Sequence, residues 1–173
     1  AINKWIVAKA KQATKDLTEN LNNFRFSDSA NGVYQFAWGS FCDWYIEMIK
    51  PVLYGDDESQ KEETRRTFAW VLNRILIMLH PFMPFVTEEL WDNVSGHAEK
   101  LIKAQWPLNE EIDTQAISKV DWAIELISSI RSLRAEVNVP AGAKLKAYLK
   151  GSDKTSLENM AEFMPIICSL ARL

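Results

Sequence analysis

DSANGVYQFAWGSFCDWYIEMIKP, residues 28–51, is the stretch from which the fold is read. Ala30, Val33, Tyr34, Ala37, Phe41, Trp44, Tyr45 and Met48 return every three or four positions, which lays them along one face of a helix. Phe36, Trp38 and Ile49 widen that face, so neighbours are expected on more than one side. Gly32 and Gly39 fall on a common side. Each costs a helix about 1 kcal/mol against alanine, which predicts that another helix backbone approaches closely there. Ser27 or Asp28 is placed to cap the start, and Pro51 is expected to end the helix.

The chain of 173 residues is long enough for one core or for a bundle with an appendage. A hydrophobic fraction of 47% with seven tryptophans marks a globular protein. No window approaches the ~18 apolar residues of a membrane span, and the first residues lack the pattern of a signal peptide. A soluble, intracellular protein is therefore expected. Cys42 and Cys168 make no disulfide framework, and His80 and His97 make no metal site, so buried free thiols are expected. The net charge of −3 argues against a generally basic nucleic-acid binder. Residues 1–26 nevertheless carry Lys4, Lys9, Lys11, Lys15 and Arg25 against Asp16 and Glu19, and Arg65, Arg66 and Arg74 follow an acidic middle. Those charges are either a basic binding face or the solvated sides of helices.

Outward from the central helix, residues 2–22 read as a first helix with Ile2, Trp5, Ile6, Ala10, Ala13, Leu17 and Leu21 on one face. The short link Phe24–Phe26 predicts an antiparallel hairpin. A third helix is expected to run to about Leu79, with Phe68, Val71, Leu72, Ile75 and Leu76 facing the core. The sequence HPFMPF then interrupts it, and Pro84 suits a helix start. Helix four is expected over Thr87–Val94, with Gly96 just past its end, and Leu101–Trp106 as extended chain. A fifth helix runs from Asp113 to before Pro140 and carries Arg131 and Arg134 on or beside its apolar stripe. There a guanidinium needs an internal acid or an external phosphate. Ala143–Lys150 alternates with period two and reads as a strand. Thr155 and Glu158 have capping-box spacing for a short helix that ends near Met164, before Pro165. A lone strand and an apolar terminus suggest a piece of a larger protein.

No phosphate loop, nucleophile elbow or ligand-spaced His/Cys cluster appears, so neither catalytic nor metal-ligating residues are assigned. Asp43 and Glu47 lie four apart but read as a solvated acid pair. His80 is expected to bond last-turn carbonyls. These readings define a mainly α protein without its own active site. Its expected parts are a bundle over residues 1–108 and a long helix plus a small α/β appendage over 109–173.

FCDWYIEMIKP (41–51), LHPFMPFVTEELW (79–91) and IRSLRAEVNVP (130–140) occur in the order and at about the spacings found in class I aminoacyl-tRNA synthetases of the valine-tRNA ligase family. The chain resembles that family from Asn3–Ile6 to its end. The resemblance implies the antiparallel helix bundle of an anticodon-binding domain, lying between a catalytic domain and a C-terminal coiled-coil arm. The parent enzymes use ATP and Mg to attach valine to tRNA(Val), and they hydrolyse mischarged threonine. This stretch lacks their catalytic motifs, needs no cofactor and is expected to hold tRNA only, in a monomeric cytoplasmic enzyme.

Unpaired loop bases stack on aromatic or guanidinium planes while cations track phosphates. The tRNA-binding candidates are therefore Lys4, Trp5, Lys9, Arg25 and Phe26, with Asn73 and Arg74 as neighbours. The hairpin separates Lys4, Trp5 and Lys9 from Arg25 and Phe26, and the loop is expected at the Lys4 end. The competing class is a helical protein-interaction or interdomain docking module with no RNA contact. Trp44, Tyr45, Trp91 and Trp106 are expected to pack in the core.

Overall fold

A computed structural model describes residues 1–94, 99–107, 110–140, 142–148, 150 and 153–173, which form two compact units, Ala1–Ala116 and Ile117–Leu173. In the first unit, α1 (Ile2–Asn22) leads through a tight turn into one continuous helical rod. The rod comprises α2 (Phe26–Tyr34), a π-helical segment (Gln35–Tyr45) and α3 (Ile46–Tyr54). Next come α4 (Glu58–Leu79), α5 (Pro84–Val94) and a 3-10 turn (Leu101–Lys103). The rod differs from the expected single α-helix over 28–51 in period and in both ends.

The period changes because of where the large rings fall. Within the π-helical segment the buried residues are Phe36, Phe41 and Tyr45, spaced five and four apart. A strict α-helix rotates residues five apart off a common face, whereas the wider i→i+5 turn brings them together. Phe41 then meets Tyr45 at 5.7 Å and Phe68 of α4 at 5.1 Å between ring centroids. Tyr34 and Trp38, expected in the core, are turned outward at 57% and 58% exposure.

The rod starts at Phe26 with Arg25 as its cap, and it passes through Pro51 to Tyr54. Pro51 is exposed, so water can serve the carbonyl that its missing N–H leaves over. The glycines do not mark a close helix approach. A Cβ on Gly32 would meet nothing within 4 Å, and one on Gly39 only the Gln35 Oε1 at 3.8 Å.

Helices α1 and α4 run in the same direction. Near one end the Asn3 Nδ2 donates to Glu63 Oε1 (3.0 Å) and Thr64 Oγ1 (3.2 Å), and further along the Thr14 hydroxyl lies 3.4 Å from Met78 Sδ. The Tyr45 hydroxyl donates to Asn3 Oδ1 at 3.0 Å, which ties the π-helical segment into the same network. Burial, and behind it the charge of Glu63, pushes the Tyr45 phenol well above its ordinary value of 10.0. Folding therefore favours the neutral phenol. Its contribution is complete below about pH 10 and is lost as pH rises beyond that. Denaturant unfolding across pH 9–11 is expected to show stability falling at the alkaline end, and Tyr45→Phe is expected to flatten that fall.

Helix α4 begins where Asp57 accepts the Gln60 N–H at 3.0 Å. Helix α5 begins at Pro84, earlier than Thr87, because proline suits a first turn. Thr87 is buried and the His80 Nδ1 lies 2.8 Å from its hydroxyl, so this nitrogen meets a side chain of α5 and not a last-turn carbonyl. Glu88 accepts the N–H groups of Leu101 (3.0 Å) and Ile102 (2.9 Å), which folds part of the expected extended segment into the 3-10 turn. Leu76, Trp91 and Leu101 pack together beneath it. Gly96 and His97 lie outside the described residues.

Trp106, Glu110 and Glu111 are tied back to α1 and α4. The Trp106 indole donates to Thr18 (2.9 Å), and Lys11 Nζ donates to the Glu111 carbonyl (3.1 Å). Arg74 grips Glu110 with two nitrogens at 2.9 and 3.2 Å.

The second unit holds α6 (Thr114–Glu136) from Ile117 onward and α7 (Lys154–Ala171). Asp153, not Thr155, caps α7 by accepting the Ser156 N–H at 2.6 Å. The helix continues through Pro165, which is exposed, because Ile167 and Ala171 beyond it are buried at 1%. That burial offsets one lost hydrogen bond. The expected α/β appendage is not formed. Residues 143–148 make no strand, and no strand occurs among the described residues, so the segment has no ladder to join. Leu149 of that segment lies outside the described residues.

Arg131 and Arg134 both donate to backbone carbonyls. Arg131 Nε donates to the Leu170 carbonyl at 3.0 Å. Arg134 donates to the carbonyls of Arg172 (3.3 Å), Pro140 (3.3 Å) and Ala143 (2.7 Å).

Candidate nucleic-acid interface

The turn between α1 and α2 is built by backbone hydrogen bonds that close the end of α1. The Asn23 N–H donates to the Glu19 carbonyl (3.1 Å), Phe24 to Leu21 (3.0 Å) and Arg25 to Asn20 (2.9 Å). The last two form a Schellman closure with Phe24 in its left-handed position, at φ 58°. The turn lifts three side chains into solvent. Phe24 is 79% exposed and Phe26 58%, their rings meeting edge to face at 6.3 Å. Arg25 bonds Asp28 at 2.7 Å, an exposed pair worth about 0–1 kcal/mol and so readily exchanged for another anion.

The other expected site residues do not gather here. Trp5 is 1% exposed, so its ring offers no face to a base. Lys4 is exposed and Lys9 half-buried, and their spacing of five residues directs them to different sides of α1. Arg74 lies 4.5 Å over the Trp70 ring and is held by Glu110, while the buried Asn73 Oδ1 has no hydrogen-bond partner. Neither belongs to an open basic face. A groove of about 500 Å³ beside α1 is lined by Lys11 and Lys15, but Glu19 and Glu110 line it too, so it carries no excess of positive charge.

Periodicity alone placed Tyr34 and Trp38 on the core face, but both are exposed. Ser27, Asn31, Tyr34 and Trp38, spaced four, three and four, form a solvent-facing stripe along the rod. The Tyr34 and Trp38 rings are nearly parallel, 4° apart in plane with centroids at 6.5 Å. The rod buries Ser29, Val33, Phe36 and Phe41 instead.

Of the acid pair, Glu47 bonds Lys50 at 2.5 Å. Burial, and after it the Asp43 charge, raises the Cys42 thiol above its ordinary value, which keeps it poorly nucleophilic. Among the described residues no three His, Cys, Asp or Glu side chains gather as a metal site, and no helix is long and apolar enough to cross a membrane.

Helical bundle, aromatic turn and outward-facing ring stripe together describe a helical module that presents aromatic side chains to solvent. The chain belongs to the family of anticodon-binding domains of tRNA ligases, whose family model matches residues 3–149. It is 43% identical over 176 residues to a valine--tRNA ligase of Rhizorhabdus wittichii, covering 100% of this chain and 20% of that protein. It is also 42% identical over 175 residues to one of Agrobacterium fabrum, with 99% and 18% covered. A third, from Caulobacter vibrioides, is 42% identical over 178 residues, with 99% and 20% covered. The chain thus spans about one fifth of the length of these relatives.

Proposed function

We propose that the chain holds the anticodon arm of tRNA(Val) within a cytoplasmic, monomeric ligase that attaches valine to that tRNA using ATP and Mg and removes mischarged threonine. Its other partners are then the catalytic domain and the coiled-coil arm of the same polypeptide. The observation that carries this reading is the family match over residues 3–149. The chain's own part is binding. Arg25 and Phe26 take the loop-facing role, since Trp5 is buried and cannot stack on a base from the opposite end. Lys4 and Lys9 then meet stem phosphates or nothing.

The test is a titration of the full-length polypeptide with valine tRNA and an unrelated tRNA across a salt series. Arg25→Ala is expected to weaken binding. Loss of one phosphate contact lowers the salt slope by about one unit for all tRNAs, whereas loss of a base contact costs about 1–3 kcal/mol and blurs discrimination. Unchanged affinity and slope in both Arg25→Ala and Lys4→Ala would leave this charge as a solvated face.

A second reading, docking against another protein segment, is favoured by α5. Val86, Leu90 and Val94 on it and Met83 just before it are exposed apolar residues, beside Phe85 at 90% and Ile102 at 75% exposure. A contact made through these residues resists salt.

A further inference from the structure

We propose that Phe24 is a base-stacking residue retained at a cost to folding, and that its ligand is an unpaired nucleobase. The inference rests on the RNA-binding reading above and adds to it a residue and a reason for that residue's strain. At the Schellman position that closes α1, glycine is the residue without steric cost, because a Cβ at positive φ crowds the neighbouring carbonyl. Here the position holds a phenylalanine at φ 58°. Burial does not compensate, since the ring is 79% exposed. Its interplanar angle of 78° with Phe26 means that the contact is edge to face, not stacking of one ring on the other. Residues held in sparsely populated backbone conformations cluster at binding sites.

The surroundings favour a base over a phosphate as the occupant. The Phe24 ring itself carries no charge for a phosphate, and the adjacent cation, Arg25, is shared with Asp28. Asn23, exposed and next in sequence, brings an amide suited to base edges, although its nitrogen donates to the Glu19 carbonyl at 2.8 Å. Stacking on an aromatic face requires no particular base, so Phe24 contributes affinity for unpaired RNA, and any choice among bases comes from its neighbours.

The test sets two readouts against each other in Phe24→Gly. Glycine relieves the strain, so the thermal midpoint of the chain is expected to rise by roughly 2–4 °C. Binding is measured with the full-length polypeptide and two RNAs, an anticodon stem-loop with 2-aminopurine in the loop and the same stem closed as a continuous duplex. Affinity for the stem-loop is expected to fall roughly 5- to 150-fold, with no change for the duplex or in the salt slope. Phe24→Trp is expected to retain stem-loop affinity and the unraised midpoint. A falling midpoint in Phe24→Gly overturns the strain argument. Unchanged stem-loop affinity, or an equal loss for both RNAs, overturns the stacking role. If the unsubstituted polypeptide itself fails to prefer the stem-loop, the RNA-binding reading fails before this inference is reached.

Discussion

Trp5→Ala is expected to destabilise the first unit by about 3–5 kcal/mol, the range for removing a large ring from a packed interior. The ring is 1% exposed, and Ile6, Ala8 and Ala10 around it on α1 are buried to the same degree. Trp5→Phe fills most of that volume and is expected to cost much less. Denaturant unfolding followed by near-ultraviolet circular dichroism measures both. The result separates two roles that the sequence allowed for this residue. A ring used only to stack on a base would leave unfolding unchanged on removal and lower RNA affinity alone.

Arg134→Ala is expected to loosen the second unit by about 1–3 kcal/mol, because a charged donor leaves three carbonyls without it. Two of those carbonyls, at Pro140 and Ala143, belong to the segment after α6, and the third, at Arg172, sits at the negative end of α7. Arg134→Lys is expected to recover only part of the loss, since a compact ammonium cannot span the same fork. Hydrogen exchange is the measurement. Amides of residues 168–173 and 142–144 are expected to exchange faster in Arg134→Ala, and unchanged exchange with weakened tRNA binding would return the arginine to phosphate contact.

Amphipathic spacing was enough to locate the helices, because each must bury one face whatever its neighbours are. Trp5, Ile6 and Leu17 on α1, and Val71, Ile75 and Leu76 on α4, are buried as their spacing requires. The prolines were misleading for a physical reason. Pro51 and Pro165 break helices in isolation, but each lies on an exposed side, and the helix that contains Pro165 buries Ile167 and Ala171 beyond it. The exposure of Arg25 and Phe26 was legible because a short link between two helices leaves its side chains little to pack against. That of Tyr34 and Trp38 was not, since which side of the rod is covered depends on partners distant in sequence, such as Phe68 of α4 against Phe41.

The sequence alone therefore determined the helical class, the hairpin and, through its motifs, the family, all of which depend on local period or residue identity. Tertiary structure decided which aromatics face water, which arginines are already engaged, and that residues 143–148 form no strand among the described residues. Each of these depends on partners distant in sequence, and a strand's pattern cannot supply the second strand that its hydrogen bonds need.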